Sequence, residues 1–175
     1  MTITNGSNVN TMTFFYSVSG IPAAFTYNDT YYYYVTNLQG DVIGIANNNG
    51  TIGTYSYDAW GNLIGTNAAG SAEEQLLNAN PLRYRGYIYD TETGFYYLQS
   101  RYYDPEVCRF INADGQLNGG LLGNNLYAYC ENNPVNYNDV EGKEPITILI
   151  FLISIGVAGL VTGGIIGGKK ALETH

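Results

Sequence analysis

Imidazole and thiol chemistry have few carriers in this chain: one histidine, His175 at the last position, and two cysteines, Cys108 and Cys130. The cysteines form no Cys-x-x-Cys pair, so a tetrahedral zinc site, a Cys-His nucleophile and a Ser-His-Asp triad are excluded, and neither metal nor cofactor is expected. A Cys108–Cys130 disulfide and two unpaired buried thiols both fit the sequence, which leaves the redox compartment open. The side chains that recur in fixed company are tyrosine and aspartate. Tyr57-Asp58 opens YDAWGN, and Tyr89-Asp90 and Tyr103-Asp104 stand in LRYRGYIYDTETGFYYLQSRYYDPEVCRFINADG, residues 82–115. An Asp at the start of a turn accepts backbone N–H bonds, a Gly a few residues later (Gly61 after Asp58, Gly94 after Asp90) supplies a left-handed position, and the preceding Tyr packs its ring over the next strand.

Each Tyr-Asp unit therefore reads as a strand-turn module. One module cannot bury its aromatic face alone, and about three or more stacked copies are the usual minimum. Three irregularly spaced copies look like the end of an array. The composition agrees: among 175 residues there are 18 Tyr and 22 Gly but only 13% charged residues, which suits a repetitive β structure better than an ordinary soluble enzyme. A net charge of -8 argues against nucleic acid as a partner, because phosphate contacts need clustered Lys and Arg.

Strand and turn signals alternate before about residue 145. Residues 25–27 lead into Asn28-Asp29, 31–36 form an aromatic run, and 37–41 supply a turn before 42–45. Asn47 to Gly50 reads as a tight hairpin turn, with 51–57 as the returning strand. Residues 66–80 form a looser connection with a short helix around 72–77. The amino terminus, MTITNGSNVNTMTFFYSVSG, lacks a basic region and a continuous apolar core, so no signal peptide is expected.

The segments YYYVTNLQGDVIGI, YSYDAWGN, the tyrosine-dense block and NLYAYCENNPVNYNDVEGK resemble the final YD repeats and the repeat-associated core region of Rhs/YD-repeat proteins, with a relationship to wall-associated polymorphic toxins. The similarity covers roughly residues 14–143. It implies a spiral β-sheet that closes into a shell around a C-terminal toxin, plugged by the core region. The expected organisation is terminal YD-repeat strands over 1–65, a connection over 66–81, the core region over 82–143 and a hydrophobic tail over 144–175. The fold class is mainly β, with one hydrophobic C-terminal helix.

In self-cleaving relatives, the resemblance also implies, an aspartic autoprotease severs the toxin after a DPxGL-like motif. Arg101 in SRYYDP and Asp114 in INADG match positions those members use. Where some members carry the second aspartate this chain has Tyr102, and Asp104, one side-chain alternation further on, is the substitute carboxylate. An aspartyl mechanism needs two carboxyl groups sharing a proton, one ionised and one protonated. The alternative is that Asp104 and Asp114 cap turns and Arg101 pairs with one of them. The cleavage motif reads Asp139-Val140-Glu141-Gly142-Lys143, without the Pro and final Leu, and any cut is expected near Gly142 and Lys143.

From 145 to 168 the chain reads PITILIFLISIGVAGLVTGGIIGG with no charged residue, long enough to span a bilayer, so a transmembrane helix is expected over 146–168. Lys169 and Lys170 place its C-terminus on the cytoplasmic side, and Gly159, Gly163 and Gly167 form small-xxx-small pairs suited to close helix approach. Three functions follow: a shell scaffold that delivers a C-terminal effector and inserts its tail into membrane; an aspartic autoprotease; and a surface carbohydrate-binding module using exposed tyrosines and Trp60. The partners to expect are the membrane, the remainder of a shell, another copy of the chain, or an immunity protein. The location to expect is membrane-associated, at the cell surface, or secreted.

Overall fold

The computed structural model describes residues 2–5, 8–114, 125–143 and 145–147. Its first half is a seven-stranded antiparallel sheet in which every neighbour in space is a neighbour in sequence: β1 (Thr2–Asn5), β2 (Asn8–Tyr16), β3 (Pro22–Tyr27), β4 (Thr30–Thr36), β5 (Val42–Asn47), β6 (Gly50–Tyr57) and β7 (Leu63–Ala68). The turns are those the asparagines dictate. Asn28 and Asp29, both at positive φ, join β3 to β4, and Asn47 pairs with Gly50 across the β5–β6 turn. The side-chain Oδ1 of Asn37 accepts from the N–H groups of Gln39 (2.9 Å) and Asp41 (3.0 Å) to close the β4–β5 turn. Register shifts interrupt β2, β4, β5 and β6 near Phe15, Val35, Ile45 and Ser56, the irregularities that increase strand bending and twist.

One face of this sheet buries Met12, Phe25, Tyr34, Ile45 and Tyr55, and helix α1 (Ser71–Ala79) covers it with Leu76 and Leu77. The expected short helix around 72–77 is α1. Glu73 and Glu74 occupy its first turn, where the helix dipole favours anions, and Pro81 follows its end. Asn80, fully buried, ties helix to sheet: its Oδ1 accepts from the Tyr34 hydroxyl at 2.7 Å and its Nδ2 donates to the Leu82 carbonyl at 2.7 Å. The opposite face leaves Phe15, Tyr31, Tyr33 and Val35 exposed, with the Phe15 and Tyr31 rings stacked.

The second half is a smaller antiparallel sheet ordered β11-β10-β9-β8, from β8 (Ile88–Tyr89), β9 (Tyr96–Tyr97), β10 (Tyr102–Asp104) and β11 (Arg109–Phe110). Its inner face packs Tyr96, Tyr103 and Phe110 with Tyr84, Tyr87, Tyr129 and Leu98, and Trp60 lies half-buried against the same cluster. Tyr103 and Tyr129 approach to 4.1 Å between ring centroids. Tyrosine is thus the core material of this half. The hydroxyls of Tyr84, Tyr103 and Tyr96 donate to the consecutive carbonyls of Ala59, Trp60 and Gly61, so the YDAWGN turn joins the two sheets. Gly61 is required there, since its φ is +91° and a Cβ would come within 2.6 Å of the Tyr84 ring.

A third pairing joins β12 (Tyr137–Asn138) to β13 (Ile146–Thr147). It corrects the start of the expected tail helix: Ile146 and Thr147 are extended, as two consecutive β-branched residues favour, and they pair with Asn138 and Tyr137. Among the described residues no helix is long and apolar enough to cross a membrane, so the C-terminal helix is unsupported. The rest of the 146–168 segment lies outside the described residues. Cys108 is half-buried and Cys130 buried, both as free thiols, and burial pushes the Cys130 thiol up to about 12.

Candidate functional site around Arg101

Three of the repeat aspartates cap their own turns. Asp58 Oδ1 accepts from the N–H groups of Trp60 (2.8 Å) and Asn62 (2.9 Å), and Asp90 Oδ1 from that of Glu92 (3.0 Å). Asp104 Oδ1 accepts from the Glu106 N–H at 2.9 Å. The Asp104 carboxylate thus caps the β10–β11 turn, and the carboxylates that pair with Arg101 are those of Asp114 and Asp139. The partner tyrosines share one cluster: Tyr103 is fully buried in it, and Tyr57 and Tyr89 pack against it partly buried. Gly94 takes the left-handed position at φ +79°.

Arg101 stands at the mouth of a two-residue turn. Tyr97 pairs with Tyr102, the Leu98 N–H donates to the Arg101 carbonyl at 2.9 Å, and Gln99 carries φ 63° between them. This tight hairpin sets Ser100 and Arg101 side by side. The guanidinium is 7% exposed and lies 3.6 Å from the centroid of the Phe110 ring, a desolvated face-on arrangement that strengthens its interaction with the ring and with nearby anions.

Two carboxylates flank it. Nη1 is 2.9 Å from Asp114 Oδ2, and Nη2 is 3.4 Å from Asp139 Oδ2. The guanidinium also reaches the backbone leaving the core: Nε donates to the Gly142 carbonyl at 2.5 Å and Nη2 to the Lys143 carbonyl at 3.3 Å. Arg101, Asp114, Gly142 and Lys143 are therefore brought together. The carboxylate that joins them is Asp139, which the sequence presents only as the first residue of the DVEG motif. Its signal is the spacing: Asp139 precedes Gly142 as Asp58 precedes Gly61.

Asp139 is 1% exposed. Burial raises its carboxyl above the ordinary carboxylate value, opposed in part by backbone N–H groups and Arg101. Its Oδ1 accepts the Lys143 N–H at 2.9 Å. The Tyr87 hydroxyl lies 2.7 Å from the Asp139 carbonyl oxygen and 3.0 Å from Asn138 Oδ1, which fixes the backbone beneath the carboxyl. The Ser100 hydroxyl lies 2.6 Å from the Gly142 carbonyl oxygen and 2.8 Å from that of Glu141. Gly142 has φ +68°, and a Cβ there would meet the Leu98 carbonyl at 2.8 Å and Ser100 Oγ at 2.9 Å. Chemically this is a buried cation holding two carboxylates of unequal environment against one stretch of backbone.

A meandering antiparallel sheet joined to a tyrosine-cored one, with Tyr-Asp turns capped by their own aspartates and one of them latched by three tyrosine hydroxyls, defines a YD-repeat shell segment. The chain belongs to the Rhs/YD-repeat family: the teneurin YD-shell family model matches residues 2–135. It is 41% identical over 142 residues to the tRNA3(Ser)-specific nuclease WapA of Bacillus spizizenii, covering 79% of this chain and 6% of that protein. With the toxin protein Tse5 of Pseudomonas aeruginosa it shares 39% identity over 85 residues, 49% of this chain and 6% of that one. The crystal structure of TcdB2-TccC3-TEV superposes with a TM-score of 0.66 at 23% identity, over 81% of this chain and 7% of that chain, a likeness of fold. The chain thus spans a small fraction of the length of these relatives.

Proposed function

We propose that this chain is the closing section of a longer YD-repeat toxin shell, secreted or at the cell surface, and that it holds the chain leading to a C-terminal effector. The observation that carries this reading is the Arg101 guanidinium, which donates to the carbonyls of Gly142 and Lys143 while paired with Asp114 and Asp139. A side chain 7% exposed that grips main chain at the end of the repeats suits a clamp on an exiting segment. The nuclease activity in the name of the Bacillus spizizenii WapA belongs to a protein of which this chain spans 6%. Electron microscopy of the chain joined to its natural upstream sequence tests the proposal: a hollow particle is expected, and an extended or unfolded product overturns it.

A second reading, self-cleavage near Gly142 and Lys143, is favoured by two carboxylates sharing one guanidinium. Water adds to the carbonyl carbon and gives a proton to one carboxylate. The carbonyl oxygen takes the electron pair, and collapse breaks the C–N bond as the leaving nitrogen takes a proton from the other carboxyl. Asp139, whose carboxyl burial holds protonated to higher pH, suits the acid, and Asp114 the base. The two carbonyls of the exit segment that Arg101 reaches bound the cut to the bonds after Gly142 and Lys143. Mass spectrometry of the full chain decides it: a fragment ending at Gly142 or Lys143 and lost in Asp114→Asn is expected, whereas uncut chain, indistinguishable from Asp114→Asn, sinks the reading.

The charge-free 145–168 sequence supports membrane insertion of the tail. Flotation of the chain with phospholipid vesicles, abolished by Leu160→Lys, is the expected outcome, and a parent chain that stays at the bottom of the gradient overturns it.

A further inference from the structure

We propose that Ser100 is a positioning residue for the exit segment, its hydroxyl setting the register in which residues 141–143 lie against Arg101. The inference deepens the self-cleavage reading and rests on it for its catalytic consequence, although the clamp itself is a separate physical claim. Ser100 owes its place to the two-residue turn between β9 and β10, where the left-handed Gln99 directs the chain back and the Ser100 N–H bonds to the Leu98 carbonyl at 2.6 Å. Its single hydroxyl proton is offered to two consecutive carbonyls, Glu141 at 2.8 Å and Gly142 at 2.6 Å.

The Gly142 oxygen receives Arg101 Nε as well, so two donors from adjacent residues converge on one oxygen from one side. A shift of the segment by one residue would give up both of these bonds at once. The glycine completes the fit. Only a residue without Cβ brings its backbone this near Leu98 and Ser100. Arg101 alone is a poor determinant of register, since its three nitrogens reach the Gly142, Lys143 and Leu126 carbonyls alike; the Ser100 hydroxyl bonds, among the described residues, to the Glu141 and Gly142 carbonyls alone.

The isosteric pair Ser100→Thr and Ser100→Val tests this in the 175-residue chain, because the two side chains share a shape and differ in the hydroxyl. Self-cleavage is expected to slow by roughly tenfold in Ser100→Val, the order of effect of one hydrogen bond lost, and to recover in Ser100→Thr. Equal rates in Thr and Val variants overturn the inference while leaving self-cleavage standing if Asp139→Asn abolishes the cut. Trypsin, acting after Lys143 in an Asp114→Asn background, reads the clamp without self-cleavage. Faster scission in Ser100→Val than in Ser100→Thr supports the clamp even where the parent never cuts itself, and identical rates overturn it.

Discussion

The Tyr103 hydroxyl donates to the Trp60 carbonyl across 2.8 Å, joining β10 of the second sheet to the turn that ends β6 of the first. Tyr84 and Tyr96 make the same bond to the flanking carbonyls of Ala59 and Gly61, so three consecutive oxygens of one turn are satisfied by phenols. Burial pushes the Tyr103 phenol up, keeping it the donor across the usual pH range. Tyr103→Phe is expected to lower stability by about 1 kcal/mol, the net value of one hydrogen bond. Tyr103→Ala, which also leaves a cavity, is expected to cost about 3–5 kcal/mol. Urea unfolding measures both, and a Tyr103→Phe variant as stable as the parent removes the latch from the account.

Much of the first sheet was legible because its turns are written in asparagine and glycine and its strands in aromatic runs: β4, β5, β6 and the Asn47-to-Gly50 turn fall where those signals stand. β2 was not legible, because Asn8 and Asn10 stand in the alternate positions that Met12 and Phe14 continue and so shorten its apolar alternation. At the site, Arg101 and Asp114 were reachable through family resemblance. Asp139 was not singled out as a carboxylate because its neighbour Arg101 is 38 positions away in sequence, and only the fold brings them together. Ser100 had no signal of its own: a serine in a two-residue turn looks like a turn residue until the segment carrying Glu141 and Gly142 is in place.

Gly142 and Gly94 separate backbone strain from steric fit. Both have positive φ, but a Cβ at Gly94 would meet only the Tyr89 hydroxyl at 3.8 Å, while one at Gly142 meets the Leu98 carbonyl at 2.8 Å. Gly94→Ala is expected to cost about 1 kcal/mol for the left-handed backbone. Gly142→Ala is expected to cost clearly more and to speed trypsin scission after Lys143. Equal losses in urea would show that the exit segment yields without breaking the contact.

Arg101 neutralises the buried Asp139 and the half-buried Asp114, so its removal leaves uncompensated charge. Arg101→Met is expected to cost about 3–5 kcal/mol, the usual consequence of breaking a buried ion pair from one side. Because Asp139 then lacks its cationic partner, Arg101→Met combined with Asp139→Asn is expected to cost less than the sum of the single changes. A double-mutant cycle by urea unfolding measures the coupling, and strict additivity would mean that the 3.4 Å contact contributes nothing.

Asp139 also gives stability a pH dependence with a definite sign. Its folded carboxyl is raised above the ordinary value of 3.8, chiefly by burial. The folded state therefore binds more protons than the unfolded state once pH exceeds that value, and stability from this group falls as pH rises through the folded pKa. It is fully present below the ordinary carboxylate range. Asp139→Asn cannot ionise and loses this slope while keeping the shape. The stability of the parent relative to Asp139→Asn is expected to decline from pH 4 toward pH 7 in urea midpoints measured at constant salt. A parent that gains on the Asn variant over that interval would show that the Arg101 and backbone N–H contacts outweigh desolvation, leaving Asp139 an ion-pair partner and unsuited to the role of acid.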